Sequence, residues 1–123
     1  MDTYAQAQRA YAPTQAPTRT ARSTEYEVIA RISHRMKRAI QNDDFPALAE
    51  AVHENNKLWM ALAIDVAHPD NLLPQTLRAN IVYLAEFTRQ HSQKVLRKIE
   101  TATPLLEINA SILKGLKHEG QSA

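Results

Sequence analysis

Few side chains in this sequence have a spacing that suits chemistry, and the nearest case is the helical metalloprotease pattern begun by His53 and Glu54. That pattern needs a second histidine four residues after the first, so that both imidazoles reach one zinc ion from the same helix face. Position 57 is a lysine, Lys57, and the five histidines are scattered singly along the chain. The sequence therefore predicts neither a metal site nor a bound cofactor.

Nucleophilic and phosphate-binding chemistry also lack their usual residues. There is no cysteine, and the two glycines, Gly115 and Gly120, are too few for a glycine-rich phosphate loop or a nucleophile elbow. Asp65 stands in an apolar stretch with no second carboxylate or base beside it. We expect Asp65 to pair with Arg78 and to fasten a helix corner rather than to act in acid–base catalysis. The sequence predicts a protein that is not an enzyme.

The composition is typical of one helical domain. The chain has 123 residues, of which 44% are hydrophobic and 23% charged, so it can bury a core and is not disordered throughout. Glycine is scarce while alanine, leucine, glutamine and arginine are plentiful, which favours helices over sheets. No apolar run is long enough to span a bilayer, and the N-terminus lacks the apolar core of a signal peptide. We expect a cytoplasmic protein that does not insert into membranes.

Capping residues and prolines divide the chain into elements. Ser23 or Thr24 can cap a first helix, and Pro46 suits the first turn of a second. Pro69 disfavours helical geometry at the residue before it, and the short HPDNLLP connection makes the flanking helices antiparallel neighbours. The predicted helices cover residues 23–41, 45–67 and 74–101, with a fourth that begins at Thr103 and Pro104.

The predicted fold class is therefore all-α, a small antiparallel bundle of about four helices. The bundle is expected over residues 23–119, with a flexible N-terminal arm at residues 1–22 and a disordered tail at residues 120–123. The expected core stripes are Ile29, Ile32, Met36 and Ile40; then Leu48, Val52, Trp59, Leu62 and Val66; then Leu77, Ile81, Leu84, Phe87 or Thr88, His91, Val95 and Ile99.

Two polar residues interrupt the second of these stripes. Asn55 and Asn56 are expected to be solvated, since asparagine is mostly exposed in proteins. The alternative is that they fix the register of the helices through a buried hydrogen bond. In the HPDNLLP connection, Leu72 or Leu73 is expected to plug the end of the core.

The corner between the second and third predicted helices resembles a known family. Its pattern is a Leu-Trp pair, an acid, a P-D-N-L-L-P turn and an L-R-A-N segment, and it is carried by Asn56, Leu58, Trp59, Leu62, Asp65, the residues 69–74 and 77–80, Ile81 and Leu84. On these residues the chain resembles the FlaF family of flagellar biosynthesis regulators, small helical proteins of alphaproteobacteria. The likeness extends more loosely over residues 1–117, although Glu86 and Phe87 stand where the family usually has a tryptophan.

The resemblance implies a non-enzymatic role in flagellin production and export. Members of the family work alongside FlbT, a post-transcriptional regulator of flagellin, and are thought to act as flagellin-specific secretion chaperones. The expected partner-binding residues are Tyr4 and Tyr11 of the arm and Leu106, Ile108, Ile112 and Leu113 of the fourth helix. Under this hypothesis they rearrange or dock around an amphipathic flagellin helix. The corner would be mainly structural, with Trp59 and Leu72 filling the core beside Asp65, Asn71, Pro74, Arg78 and Asn80.

Two other partners stay open at this point. The fourth helix could complete FlbT as one of its subunits instead of binding flagellin. Direct binding to flagellin mRNA is the second alternative, because Arg31, Arg35, Lys37 and Arg38 lie on one predicted helix and could meet phosphates. Against RNA, that helix lacks the exposed aromatic side chains on which single-stranded bases stack. DNA is not an expected partner, and the sequence leaves the oligomeric state open.

Overall fold

The computed structural model describes the backbone of residues 21–122 and, within that span, the side chains of residues 25–115. Over these residues the chain forms four α-helices and no strand. They are α1 (Ala21–Gln41), α2 (Phe45–Ala67), α3 (Gln75–Leu96) and α4 (Thr103–Ser122). α1 packs on α2 and α4, and α3 closes the ring by packing on α2 and, more lightly, on α4. The predicted all-α bundle is confirmed.

The start of α2 follows directly from local sequence. The Asp44 side chain accepts a hydrogen bond from the Ala47 amide at 3.1 Å, which satisfies one of the free N–H groups of the first turn. Pro46 lies in that turn, where its missing N–H costs nothing. At the other end, His68 has extended geometry ahead of Pro69, so the helix stops at Ala67. The predicted bounds of α2 are confirmed.

α1 and α3 both end with a left-handed residue that is not glycine. Asp43 after α1 has a φ of 51°, and Lys98 after α3 has a φ of 62°. At the end of α3, the Ile99 amide donates to the Lys94 carbonyl and the Lys98 amide donates to the Val95 carbonyl, both at 2.9 Å. This pair of bonds is a Schellman cap, which turns the chain away from the helix axis.

The cap explains why α3 ends at Leu96, short of the predicted residue 101. The apolar spacing continues to Ile99, but the chain has already turned, and Ile99 is 64% exposed. Ile40, near the cap of α1, is also more exposed than expected, and Ala39 is buried in its place. Both isoleucines were expected in the core, and both assignments are wrong because the stripe drifts off the core face at a helix end.

The core lies along the axis of the bundle, and each helix contributes to it. The largest fully buried apolar side chains are Trp59, Ile29, Met36, Ile81, Leu105, Ile112 and Val52. On α3 the choice between two neighbours is resolved in favour of Thr88, which is fully buried, while Phe87 is partly exposed. Within the described part of the chain, no helix is both long and apolar enough to cross a membrane.

The end of the core at the corner is closed by Leu73 and not by Leu72. Leu73 is 7% exposed, whereas Leu72 is 86% exposed, so the expectation that Leu72 fills the core is wrong. The Asn71 side chain decides the matter, because its Oδ1 accepts the Leu73 amide at 3.0 Å and so holds Leu73 at the core.

The two ends of the chain are described unequally. α4 continues through Ser122 and so reaches into residues 120–123, which were expected to form a disordered tail. Residues 1–20, which hold Tyr4 and Tyr11, lie outside the described residues. The expectation that Ser23 or Thr24 caps the first helix is wrong, because α1 is already helical at Ala21 and both residues lie within it.

Replacing Leu73 with alanine is expected to lower the free energy of unfolding by about 2–4 kcal/mol, because it leaves a cavity at the end of the core. The neighbouring change Leu72→Ala is the matched control and should cost less than about 0.5 kcal/mol. Urea denaturation followed by the fluorescence of Trp59 measures both. Similar losses for the two variants would mean that Leu72 is buried as well.

Candidate functional site: the fourth helix and its seat

The α4 residues expected to bind a partner are engaged in the bundle. Ile112 is 2% exposed and belongs to the core, while Leu106, Ile108 and Leu113 are partly buried and pack against it. A partner that uses these side chains therefore either contacts only their exposed edges or requires α4 to move. The expected companions from the arm, Tyr4 and Tyr11, are outside the described residues.

A buried amide joins α4 to two other helices. The indole N–H of Trp59 donates to the Oδ1 of Asn109 at 2.8 Å. The Nδ2 of Asn109 donates to the Oδ1 of Asn55 at 2.8 Å and to the Oγ of Ser33 at 2.9 Å. Both asparagines are fully buried. We call Ser33, Asn55 and Trp59 the polar seat of Asn109.

The polar seat shows that Asn55 is buried and hydrogen-bonded, which was the alternative to the expected solvated side chain. Asn55 was expected to be solvated, and this is wrong, because its carbonyl accepts the Asn109 amide inside the core. A buried asparagine is tolerated when its polar atoms are paired, and the pairing fixes the register of the helices. Asn109 also lies in a glycosylation triplet with Ala110 and Ser111, but a side chain with no exposure cannot be an acceptor.

The sequence held a signal for Asn109. It lies four residues after Leu105 and three before Ile112, so it occupies the middle of the apolar stripe of α4. A polar residue in the middle of a buried stripe needs a partner on the facing helices. Asn55 and Trp59 are four residues apart on α2 and meet that need, but only the packed structure brings the two stripes together.

The core-facing side of α3 is also partly polar. Thr88 and Ser92 are fully buried, and their hydroxyl oxygens have no hydrogen-bond partner among the described residues; the Nδ2 of Asn55 has none either. His91 is better satisfied, because its Nε2–H donates to the Thr101 carbonyl at 2.9 Å and its ring stacks on Phe87 with the centroids 5.5 Å apart. α3 therefore contributes three polar side chains, those of Thr88, His91 and Ser92, to the interior of the bundle.

The helix corner is fastened by an asparagine and not by an arginine. The Nδ2 of Asn71 donates to the Oδ2 of Asp65 at 3.2 Å and to the Asp65 carbonyl at 3.3 Å. The expected pairing of Asp65 with Arg78 is wrong, because Asp65 bonds to Asn71 instead, and the Nε of the half-buried Arg78 has no hydrogen-bond partner among the described residues. Asn71 lies in the turn itself, so its side-chain amide is close to the last turn of α2, where Asp65 lies. Pro74 occupies the N-cap position of α3 without a side-chain hydrogen bond, and Asn80 is exposed on that helix.

The basic residues of α1 do not form one free cluster. Arg35 is half-buried and bonds to Glu54, with Glu50 at 3.4 Å, so it ties α1 to α2. Arg31 and Lys37 are exposed, as is the nearby Arg38. The guanidinium at the centre of the expected RNA-binding set is therefore already engaged with carboxylates.

Charge on the outer face of α3 is locally paired. Hydrogen bonds from the Arg89 guanidinium and, less strongly, from the Gln90 amide lower the pKa of Glu86 from 4.5 to about 2. Glu86 in turn raises the pKa of Arg89.

Over the described residues, no group of three or more histidine, aspartate or glutamate side chains is placed to hold a metal ion.

A cleft of about 480 Å³ lies at the end of the bundle away from the Asn71 corner. Its walls come from the turn after α1 and the turn after α3, and include Ile40, Leu48 and Ile99. The Lys98 ammonium sits 4.4 Å from the centroid of the Phe45 ring, a cation–π contact that ties the two turns together. The cleft is separate from the polar seat.

Comparison with protein families supplies the identity. The family model described as "Flagellar protein FlaF" matches residues 7–116 of this chain. The chain belongs to the FlaF family. The match spans the corner, the polar seat and Asn109, and it begins ahead of α1, so part of the N-terminal arm belongs to the FlaF region too. A search of curated proteins found no match, and neither did a search of solved structures.

Membership of the FlaF family confirms the resemblance read from the corner, and the structure shows what the corner residues do. Trp59 is 1% exposed and bonds to α4, while Asp65 and Asn71 hold the turn. In this FlaF protein, Trp59, Asp65, Asn71 and Leu73 thus shape the bundle, while the motif residues Leu72 and Asn80 are exposed.

Asn109→Ala is expected to lower the free energy of unfolding by about 2–3 kcal/mol, because it leaves the buried Trp59 indole N–H without an acceptor, and the buried Oδ1 of Asn55 and the part-buried Oγ of Ser33 without their donor. Ser111→Ala, an exposed change on the same helix, is the control and should stay within about 0.5 kcal/mol. Urea denaturation monitored by tryptophan fluorescence measures both. The bonding role of Asn109 is refuted if the two variants are equally stable.

A double-mutant cycle separates the two possible partners of Asp65. The pair Asp65→Ala and Asn71→Ala should show a coupling energy of about 0.5–1.5 kcal/mol, as expected for one partly exposed hydrogen-bonded pair. The pair Asp65→Ala and Arg78→Ala should show coupling near zero. The same denaturation assay gives both energies, and a larger value in the arginine cycle would restore the ion pair expected from sequence.

Proposed function

We propose that this FlaF-family protein binds flagellin as a secretion chaperone and thereby couples flagellin synthesis to export and assembly. The observation that carries the proposal is the family match over residues 7–116, which makes this a flagellar protein. The fold adds support, because a helical bundle that presents apolar side chains is suited to holding another helix.

Apolar side chains on the outside of α3 support a protein partner. Tyr83 is 68% exposed and Phe87 lies one turn further on the same face, partly exposed and stacked on His91. The partly buried Ile108 and Leu113 of α4 add apolar edges that solvent reaches. Flagellin subunits polymerise through amphipathic terminal helices, and a chaperone has to cover such helices until export. Exposed aromatic and aliphatic groups of this kind are typical of a protein-binding surface.

The apolar surface and the ion pairs of Arg35 also bear on the two alternatives, a subunit of FlbT and an mRNA-binding protein. A role as a subunit of FlbT needs an apolar face as well, so it differs from the proposal in the partner and not in the surface. Direct binding to flagellin mRNA is less well supported, because Arg35 is engaged by Glu54 and Glu50 and its helix offers little aromatic surface for stacking.

The test is size-exclusion chromatography with light scattering at physiological salt, on mixtures of the purified protein with flagellin monomer and, separately, with FlbT. A one-to-one complex with flagellin that persists at moderately raised salt is the expected result, because helix burial is less sensitive to salt than phosphate contacts. A shift with FlbT alone would make the protein a subunit of the regulator. Binding only to flagellin mRNA, with a steep salt dependence, would favour the RNA role.

A further inference from the structure

The polar seat has a hydrogen-bonding pattern that only certain side chains match. Trp59 supplies a donor, and Ser33 and Asn55 supply acceptors, all within 2.9 Å of the amide of Asn109. A primary amide has one accepting oxygen and one donating nitrogen, so it satisfies all three at once. These three groups sit on α1 and α2, so the seat is not itself part of α4.

Several features make α4 the least firmly held helix. It is the last helix of the bundle, joined to the rest through the connection at residues 97–102, and it packs only lightly on α3. Part of its hold depends on the three hydrogen bonds of Asn109, which water can replace when the helix leaves, whereas it cannot replace an aliphatic contact. Gly115 lowers the helix propensity of α4. A Cβ at this position would make an ordinary contact with α3, 3.6 Å from the Cδ1 of Leu77.

Opening would also relieve an unpaired polar group in the seat itself. The Nδ2 of Asn55 is buried without a partner while its Oδ1 accepts from Asn109 of α4. A buried polar group without a partner is unfavourable, and water satisfies it when the core opens. The seat of α4 is thus easier to hydrate than a purely aliphatic seam, which favours opening of this helix as a unit.

We propose that α4 is an exchangeable lid, and that the partner helix binds in its place on α1 and α2. The seat selects an amphipathic helix with an asparagine or glutamine in its apolar stripe, an aliphatic residue four positions before it and another three positions after it. Leu105, Asn109 and Ile112 of α4 are the internal copy of that pattern. This inference rests on the proposed function, since it names how a flagellin helix is held and which flagellin helices qualify.

Loosening α4 should raise the affinity for flagellin if α4 is a lid, and lower it if α4 is itself the contact surface. Asn109→Ala weakens the closed state but leaves the polar seat intact, so flagellin should bind at least threefold more tightly to this variant than to wild type. Ser111→Ala is the control and should bind like wild type. Isothermal titration with flagellin monomer measures the affinities. Weaker binding by Asn109→Ala would mean that α4 itself is the contact surface, and it would overturn the exchange.

A reversible clamp gives the complementary test. The sequence has no cysteine, so Leu77→Cys with Gly115→Cys introduces the only thiol pair, between α3 and α4, where a Cβ at position 115 would lie 3.6 Å from the Cδ1 of Leu77. Loss of both free thiols on oxidation verifies that the disulfide has formed. The oxidised double variant should keep its helical circular dichroism and lose flagellin affinity at least tenfold, and dithiothreitol should restore the affinity. Each single cysteine variant serves as a control for the substitutions themselves. Undiminished binding by the oxidised protein would overturn the exchange while leaving flagellin binding established.

Hydrogen exchange on the full chain tests the lid without a partner. The amides of α4 should exchange at least tenfold faster than those of α2 in the wild type, and oxidation of the double variant should abolish the difference. Equal protection of α4 and α2 in the wild type would overturn the inference. If α4 opens as expected but neither wild type nor the reduced variant binds flagellin, the proposed function fails and the opening stands.

Discussion

The amide of Asn109 is the interaction on which the arrangement of this bundle depends. Apolar stripes tolerate small shifts of one helix along another, because hydrophobic contact is not directional. A buried amide does not, since each of its bonds has a narrow range of length and angle. By bonding to Ser33, Asn55 and Trp59, it sets the height and rotation of α4 against α1 and α2 together. The apolar core then packs in the register of α4 against α1 and α2 that these hydrogen bonds set.

Much of the fold could be predicted, because its signals are local. The bounds of α2 depend on a capping aspartate, a first-turn proline and a terminal proline, all within the chain segment that they control. Where two neighbouring residues of one type compete, local reasoning fails. Whether Leu72 or Leu73 enters the core depends on an Asn71 side chain that holds one backbone amide, and nothing in their order distinguishes the two leucines.

The end of α3 shows a second limit of sequence reasoning. Left-handed caps are usually recognised by a glycine, and this chain places Lys98 there instead. The conformation is less favourable for a residue with a Cβ, and the contact of Lys98 with Phe45 offsets part of that cost. A contact between residues so distant in the chain has no local signature. The candidate site is hidden for the same reason, because Asn55, Ser33 and Asn109 become a site only when three helices meet.

A polar seat is less stabilising than an aliphatic one but more selective, and this combination suits the exchange proposed for α4. An aliphatic residue at position 109 would bury its side chain against groups that need hydrogen bonds, so the seat discriminates against helices without an amide. The same requirement keeps α4 from being held too firmly, since water can pair with the seat when the amide leaves. A core built only for stability would fill these positions with aliphatic side chains, and such a core would hold α4 without recognising any other helix.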